Sequence, residues 1–229
     1  VFVKADLHIH SMASDGRDHP KYVVKAAKEK GLLVISITDH NTFLGSMIAL
    51  NYARGSYPLV IPGSEVRTEV GDILVLCPEP IEITRSSHEL IDVAHDNNCI
   101  LIPAHPLDLV RLGMGFLARA PIWDGVEVFN ASSDPITNVL TLIAFRNHRG
   151  VKLANSDAHV IEMIGSACTV IEVSSIELDE VLNALRNDEA THPVPGYEVI
   201  GIVNRGAWAI RRMLSRGANT AMGLQAATY

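Results

Sequence analysis

The chain has 229 residues, 48% of them apolar, enough for one large α/β domain or two small ones with a sizeable core, and no stretch has a disordered composition. No apolar run is long enough to span a membrane, so none is expected to be bound that way. The formal net charge is -7 with histidine neutral, and residues 197–229 set only Glu198 against Arg205, Arg211, Arg212 and Arg216. The rest of the chain is therefore acidic, and strong binding to duplex nucleic acid is not expected.

Three cysteines, Cys77, Cys99 and Cys168, stand singly in apolar runs. Their odd number and lack of paired spacing argue against a disulfide framework and for small apolar core groups in a reducing cytoplasm. No charged-then-apolar leader opens the chain, although its start at Val1 rather than Met leaves room for residues upstream.

Strands are expected over 3–8, 33–38, 59–63, 73–77, 99–103, 126–129, 151–155 and 168–173, and helices near 20–30, 43–54, 87–97, 135–148 and 177–187. Runs such as "LLVISI" and "NCILIPA" are continuously apolar, as in parallel strands buried on both faces. Pro20 suits a first helical turn, and capping boxes are read at Ser86 with Glu89 and at Ser174 with Glu177. The alternation predicts a parallel sheet or a closed barrel over residues 1–187. The polar, proline-bearing "NDEATHPVPG", 187–196, reads as a linker. Within 188–229 an amphipathic helix follows over 198–216, packed on the barrel through Ile202, Trp208, Ile210 and Leu214.

Polar residues gather at the C-terminal ends of these strands. His8 and His10 close the first, Asp39 and His40 the second, Glu65 the third, His105 the fifth, and Asp157 and His159 the seventh. In a parallel barrel those ends converge on one face, where the active site sits. Imidazole and carboxylate are the ligands of Zn, Mn and Fe(II), and alternation along a strand puts His8 and His10 on one side, able to grip one ion. Asp157 and His159 repeat that spacing. Burying so many ionisable groups without compensating cations would be costly. Arg111, in "HPLDLVRLGMG", is a candidate phosphate clamp on a loop that Gly113 and Gly115 suggest is mobile, with Arg17 and Arg67 as further candidates. Glu127 and Asn130 lie at another strand end and are read as supporting the ligands. His19, His88, His95, His148 and His192 fall outside the pattern.

The ordered motifs "DLHIHSMASDG", "ITDHNT", "GSEVRTE", "PAHP" and "NSDAH" resemble those of the PHP (polymerase and histidinol phosphatase) family, from about residue 4 to about 160. The resemblance implies a distorted (β/α)7 TIM-like barrel with parallel strands and up to three divalent metal ions (Zn, Mn or Fe). It implies that His8, His10, Asp157 and a bridging Glu65 hold the first ion, Glu65 and His105 the second, and Asp15, His40 and His159 the third. Asp72, in "GDILVLC", stands where the family often has histidine, so the second site is the doubtful one. Asp39 is expected to orient His40 or another ligand from behind.

The implied activity is hydrolysis of phosphomonoesters or small phosphodiesters, nucleotides or histidinol phosphate among them, by a hydroxide bridging two metals, with His159 or Asp15 assisting proton transfer. The alternatives are a PHP domain that binds metal or a partner without catalysis, a domain of a polymerase whose body lies elsewhere, and amidohydrolase-type hydrolysis. The last commonly uses a bridging lysine, and here Glu65 fills that place.

Overall fold

A computed structural model describes residues 1–226, with side chains through Ser215, so Arg216 lies outside the described side chains. The chain opens with strand β1 (Phe2–Ile9), helix α1 (Pro20–Glu29) and strand β2 (Val34–Ile37). His19 caps α1 by accepting from the Lys21 amide, Pro20 occupies its first turn, and Val23, Val24, Ala26 and Ala27 form its buried stripe. Next come α2 (Leu44–Ala53), β3 (Leu59–Val60), β4 (Gly63–Arg67), β5 (Asp72–Leu76), α3 (Ser87–Asp96) and β6 (Ile100–Pro103). Then follow β7 (Gly125–Asn130), α4 (Pro135–Phe145), β8 (Val151–Asn155), β9 (Cys168–Glu172), α5 (Leu178–Ala184), β10 (Thr191–Val194) and α6 (Val199–Ala226).

The fold is α/β with mixed sheets. The hydrogen-bonded orders are β10-β9-β1-β2-β3, β4-β5-β6 and β7-β8. Pairs β1/β2, β2/β3 and β7/β8 are parallel, whereas β4/β5, β5/β6, β1/β9 and β9/β10 are antiparallel. The all-parallel expectation is thus corrected. The expected strand at 59–63 is two strands, and β4 returns on β5 after only residues 68–71, too short a connection for a parallel crossover. Two single parallel bridges, Ile9 to Ala158 and His40 to Glu65, tie the strand ends across sheets. Leu7, Val34, Ile61, Leu74, Ile102 and Leu153 from five strands and one connection pack into one buried cluster, each contributing about 1.5–3 kcal/mol by leaving water.

Three further expectations change. Cys77 and Cys99 are disulfide-bonded, with Cα atoms 4.2 Å apart, and Cys168 alone is free. The antiparallel register that pairs Leu76 with Ile100 places residues 77 and 99 opposite each other as the next pair. The bond removes the argument for a reducing compartment. What stands is that no described helix is long and apolar enough to cross a membrane. The 187–196 segment is not a plain linker, because Thr191–Val194 pairs with β9 as an edge strand, the position in a sheet that tolerates Pro193. Ser174 does not cap α5, since its hydroxyl donates to the Glu180 carboxylate. Ser86 does cap α3, but Glu89 accepts from Thr84 Oγ1 at 2.7 Å rather than closing a box. Helix α6 runs beyond 216, and Ile202, Ile210 and Leu214 stay exposed while Trp208 packs inward.

Candidate metal centre

Strand geometry converges the donors. Along β1 and one residue past its end, Asp6, His8 and His10 recur at the same-face spacing, and all three are buried. The Ile9–Ala158 bridge brings the segment after β8, with Asp157 and His159, alongside them, and the His10 amide donates to the Ala158 carbonyl at 2.8 Å. The His40–Glu65 bridge does the same for the ends of β2 and β4. Asp157 and His105 both have positive φ, 48° and 30°, outside the usual regions for residues with a side chain. Such backbone costs about 1–3 kcal/mol and persists where the surroundings impose it.

Four imidazoles surround the Glu65 carboxylate. His105 Nε2 and His8 Nε2 lie 3.0 and 3.5 Å from Oε1, and His40 Nδ1 and His10 Nε2 lie 2.9 and 3.3 Å from Oε2. Asp157 Oδ1 lies 3.2 Å from His10 Nε2, 3.6 Å from His8 Nε2 and 3.5 Å from His159 Nδ1. Asp15 Oδ1 lies 3.3 Å from His159 Nε2 and 3.6 Å from both His10 Nδ1 and His40 Nε2. Four overlapping donor groups result: His10, Asp15, His40 and His159; His8, His10 and Glu65; His8, His105 and Asp157; Glu65, Asp72 and His105. They border a pocket of about 520 Å³. A larger cleft of about 700 Å³ beside Arg119, Trp123 and His148 shares none of these residues and offers no carboxylate.

Burial opposes charge at His8, His10, Glu65 and Asp157, yet their mutual attraction overrides it. Burial lowers the His8 and His10 imidazolium, but Asp157 with Glu127 and Glu65 raises His8 well above an ordinary imidazole, and Asp157 with Glu65 raises His10 to about 10. Burial raises Glu65 and Asp157, and the histidines, joined at Asp157 by Arg111, outweigh it and hold both well below the usual carboxylate range. Burial and the neighbouring His10 charge lower His159. His10 Nδ1, His40 Nδ1, His105 Nδ1 and Asp157 Oδ1 are buried without a hydrogen-bond partner. Unmatched nitrogen and oxygen donors facing one another fit divalent metal ions.

The remaining sequence candidates fall as follows. Asp39 does not touch His40. It accepts from Ser11 N at 2.8 Å, Ser11 Oγ at 2.6 Å and Ser14 Oγ at 2.5 Å, and so shapes the turn that carries Asp15. Asp72 is gripped by Arg67, Nε to Oδ1 and Nη2 to Oδ2 at 3.0 Å each. Arg111 is not on a free loop. It binds Asp157 and Asp108, with Nη2 2.6 Å from Ser133 Oγ and 3.2 Å from Asn130 Oδ1. Gly113 packs so tightly on the chain that a Cβ there would lie 2.4 Å from the His105 carbonyl oxygen. Arg17 pairs with Asp18 and Glu162, away from the donors. Glu127 accepts from the His105 amide at 2.8 Å and from Asn130 and Asn155 side-chain amides at 2.9 Å each, and lies 3.0 Å from His8 Nδ1.

The sequence reading does not single out Asp6, Asn155 or the arginines of α6 as site residues. Asp6 accepts from Ser156 N and Oγ at 3.1 and 2.6 Å and from Gly165 N at 2.8 Å, holding the chain just before Asp157 and again at Gly165, and burial raises it to about 6. Its place two residues ahead of His8 is the signal that could have found it. Arg205, Trp208 and Arg212 share a helix face by the i, i+3, i+7 spacing; Trp208 Nε1 donates to the Asp15 carbonyl at 3.1 Å, and Arg212 Nη1 lies 3.0 Å from Asp15 Oδ2.

Fold and site together define a mixed α/β protein with clustered histidines and carboxylates of the kinds that hold divalent metals. The PHP-associated family profile matches residues 144–190. An uncharacterized protein of Methanocaldococcus jannaschii, MJ1587, is 34% identical over 153 residues, spanning 61% of this chain and 90% of that protein. The chain belongs to the PHP family. Among solved structures, a two-domain protein of Bacteroides vulgatus, described as containing a predicted PHP-like metal-dependent phosphoesterase, superposes with a TM-score of 0.72 at 19% identity, covering 86% of this chain and 65% of that one. This chain thus spans under two thirds of that protein. A structure from Bifidobacterium adolescentis, named as a candidate metal-dependent phosphoesterase, gives a TM-score of 0.55 at 17% identity over 68% of this chain and 87% of its own. At these identities the likeness speaks for the fold.

Proposed function

We propose that the chain is a metal-dependent phosphoesterase acting on small phosphorylated substrates, phosphomonoesters or small phosphodiesters, nucleotides among them. The observation that carries this reading is the Glu65 carboxylate, buried and ringed by the imidazoles of His8, His10, His40 and His105. His8, His10, Glu65 and Asp157 would hold a first ion, Glu65 and His105 a second, and Asp15, His40 and His159 a third, with Zn, Mn and Fe all compatible with such ligands. When bound, such ions lower the pKa of water and neutralise phosphate oxygens.

The chain's own residues set up that chemistry. Glu127 lies below its ordinary value because the His8 charge and hydrogen bonds outweigh burial, so it is ionised and accepts from His8 Nδ1–H; the same contact would keep that proton on Nδ1 once Nε2 gives up its own to ligate a metal ion. The Asp157 carbonyl, 3.0 Å from His159 Nδ1, fixes the tautomer in which Nε2 faces Asp15 without a proton. His159 Nε2 and Asp15 thus have two alternative roles, as ligands of a third ion or, with that ion absent, as a pair that exchanges a proton with the substrate. The Arg111 guanidinium, held by Asp108 and Asn130, borders the pocket and can meet a phosphate oxygen.

The test is turnover of phenyl phosphate, then of nucleotides, sugar phosphates and histidinol phosphate, by manganese- or zinc-loaded protein with and without chelator. Chelator-sensitive release of phosphate is expected. One observation favours a second reading, a PHP domain that binds metal without catalysis: Arg67 engages both oxygens of Asp72. Metal retention with no turnover of any of these esters would select it.

A further inference from the structure

Four arginines border the pocket over the donor cluster: Arg67, Arg111, Arg205 and Arg212. Three have carboxylate partners, namely Asp72 for Arg67, Asp108 and Asp157 for Arg111, and Asp15 for Arg212. Arg205 is different. Its Nη1 donates to the Ser132 carbonyl at 3.2 Å, and among the described residues no carboxylate forms an ion pair with it. It is half-buried, and burial pulls its guanidinium below the ordinary arginine value despite the more distant Asp157. A guanidinium stripped of part of its water, with no counter-charge in contact, is an incomplete interaction that an incoming anion completes.

Its position is equally informative. Arg205 borders both the metal pocket and a neighbouring, largely apolar cavity of about 600 Å³ lined by Pro135, Tyr197, Ile202 and Ala209. The helix that carries it is fixed against the centre, because Trp208 and Arg212 both bond to Asp15. Gly201 lets that helix approach closely, since a Cβ there would lie 2.5 Å from Met163 Cγ. Helix α6 also lies beyond the residues that the PHP-associated profile matches.

We propose that Arg205 binds an anionic oxygen of the substrate, phosphate or carboxylate, at the boundary between the metal pocket and the apolar cavity, making α6 the wall of the site that selects substrates. The proposal rests on the phosphoesterase reading above for the word substrate, but not for the anion site itself.

The experiment compares full-length wild type, Arg205→Gln and Arg205→Lys, each loaded with manganese and checked for equal metal content and unchanged circular dichroism. Calorimetry with inorganic phosphate is expected to show about tenfold weaker binding in Arg205→Gln, equivalent to about 1.4 kcal/mol, with partial recovery in Arg205→Lys. Kinetics with phenyl phosphate and 4-carboxyphenyl phosphate locate the anion. An equal rise in KM for both assigns Arg205 to the phosphate undergoing hydrolysis, and a rise for the carboxylated ester alone assigns it to a second anionic group. Unchanged phosphate affinity and unchanged KM for both esters in Arg205→Gln overturn the proposal, as does wild type that binds no phosphate. If neither ester turns over but phosphate binding still depends on Arg205, the phosphoesterase reading fails and the anion site stands.

Discussion

His8 Nδ1 lies 3.0 Å from Glu127 Oε1, a residue 119 positions further along the chain, and both side chains are buried. The same carboxylate accepts from the His105 amide and from the Asn130 and Asn155 side chains, so one group at the end of β7 sets the attitude of two candidate ligands. Glu127→Gln keeps the shape but replaces one acceptor oxygen with a donor and removes the charge. Metal affinity is expected to fall about 10- to 100-fold, with little change in far-UV circular dichroism. Competition titration with a chromogenic chelator reads this, and unchanged affinity would mean that Glu127 serves packing alone.

Asp39 is expected to matter for stability as well as for the site. Asp39→Ala leaves the Ser11 amide and the Ser11 and Ser14 hydroxyls without their acceptor, which should cost about 3 kcal/mol in urea unfolding. Gly45→Ala tests the same contact from the other side, because a Cβ there would sit 1.8 Å from Asp39 Oδ2. If both variants unfold like wild type, the clamp does not stabilise the turn.

The histidines give stability a pH dependence that bound metal opposes. Burial lowers His10, but Asp157 and Glu65 raise it from 6.5 to about 10, so without metal its contribution is fully present below pH 6.5 and lost as pH rises towards 10. Glu65 and Asp157 lie below their ordinary 4.5 and 3.8, so their contributions are present above those values and lost in acid. Metal-free protein should therefore melt highest between about pH 4.5 and 6.5 and progressively lower towards about pH 10. Metal requires neutral imidazole, so the rise in melting temperature on adding manganese should grow over that same alkaline interval. Melting curves in chelator and in manganese check both slopes, and a metal-free melting temperature that climbs above neutral pH would contradict them.

Much of the site is legible in the sequence because strand periodicity acts over short distances. His8 with His10 and Asp157 with His159 repeat at two residues, and that spacing suffices to place each pair on one side. The same rule explains which candidate ligand Asp39 supports, Asp15 through its turn rather than His40. Adjacent to His40, it faces the opposite way along extended chain and reaches Ser11 instead. Strand direction was not legible, since "ILVLC" is as continuously apolar as a parallel strand, and only its pairing with β4 and β6 reveals it as antiparallel. The Cys77–Cys99 bond was hidden with it, because a separation of 22 residues means nothing until the register brings the two ends opposite. Prolines in "THPVP" argued for a linker, although an edge strand accommodates Pro193. The terminal helix reads only as packed on the barrel through its apolar residues, and docking against Asp15 is what shows that its arginines border the pocket.

The central claim is that the imidazoles around Glu65 hold divalent metal for phosphate-ester hydrolysis. It is tested most directly by measuring metal content and phenyl phosphate turnover together, in wild type and in His8→Ala, after loading with manganese or zinc and desalting. The account predicts two or three ions per chain and chelator-sensitive turnover in wild type, with at least one ion and nearly all turnover lost in His8→Ala. Wild type that hydrolyses no phosphate ester, with a metal content that His8→Ala leaves unchanged, would contradict it.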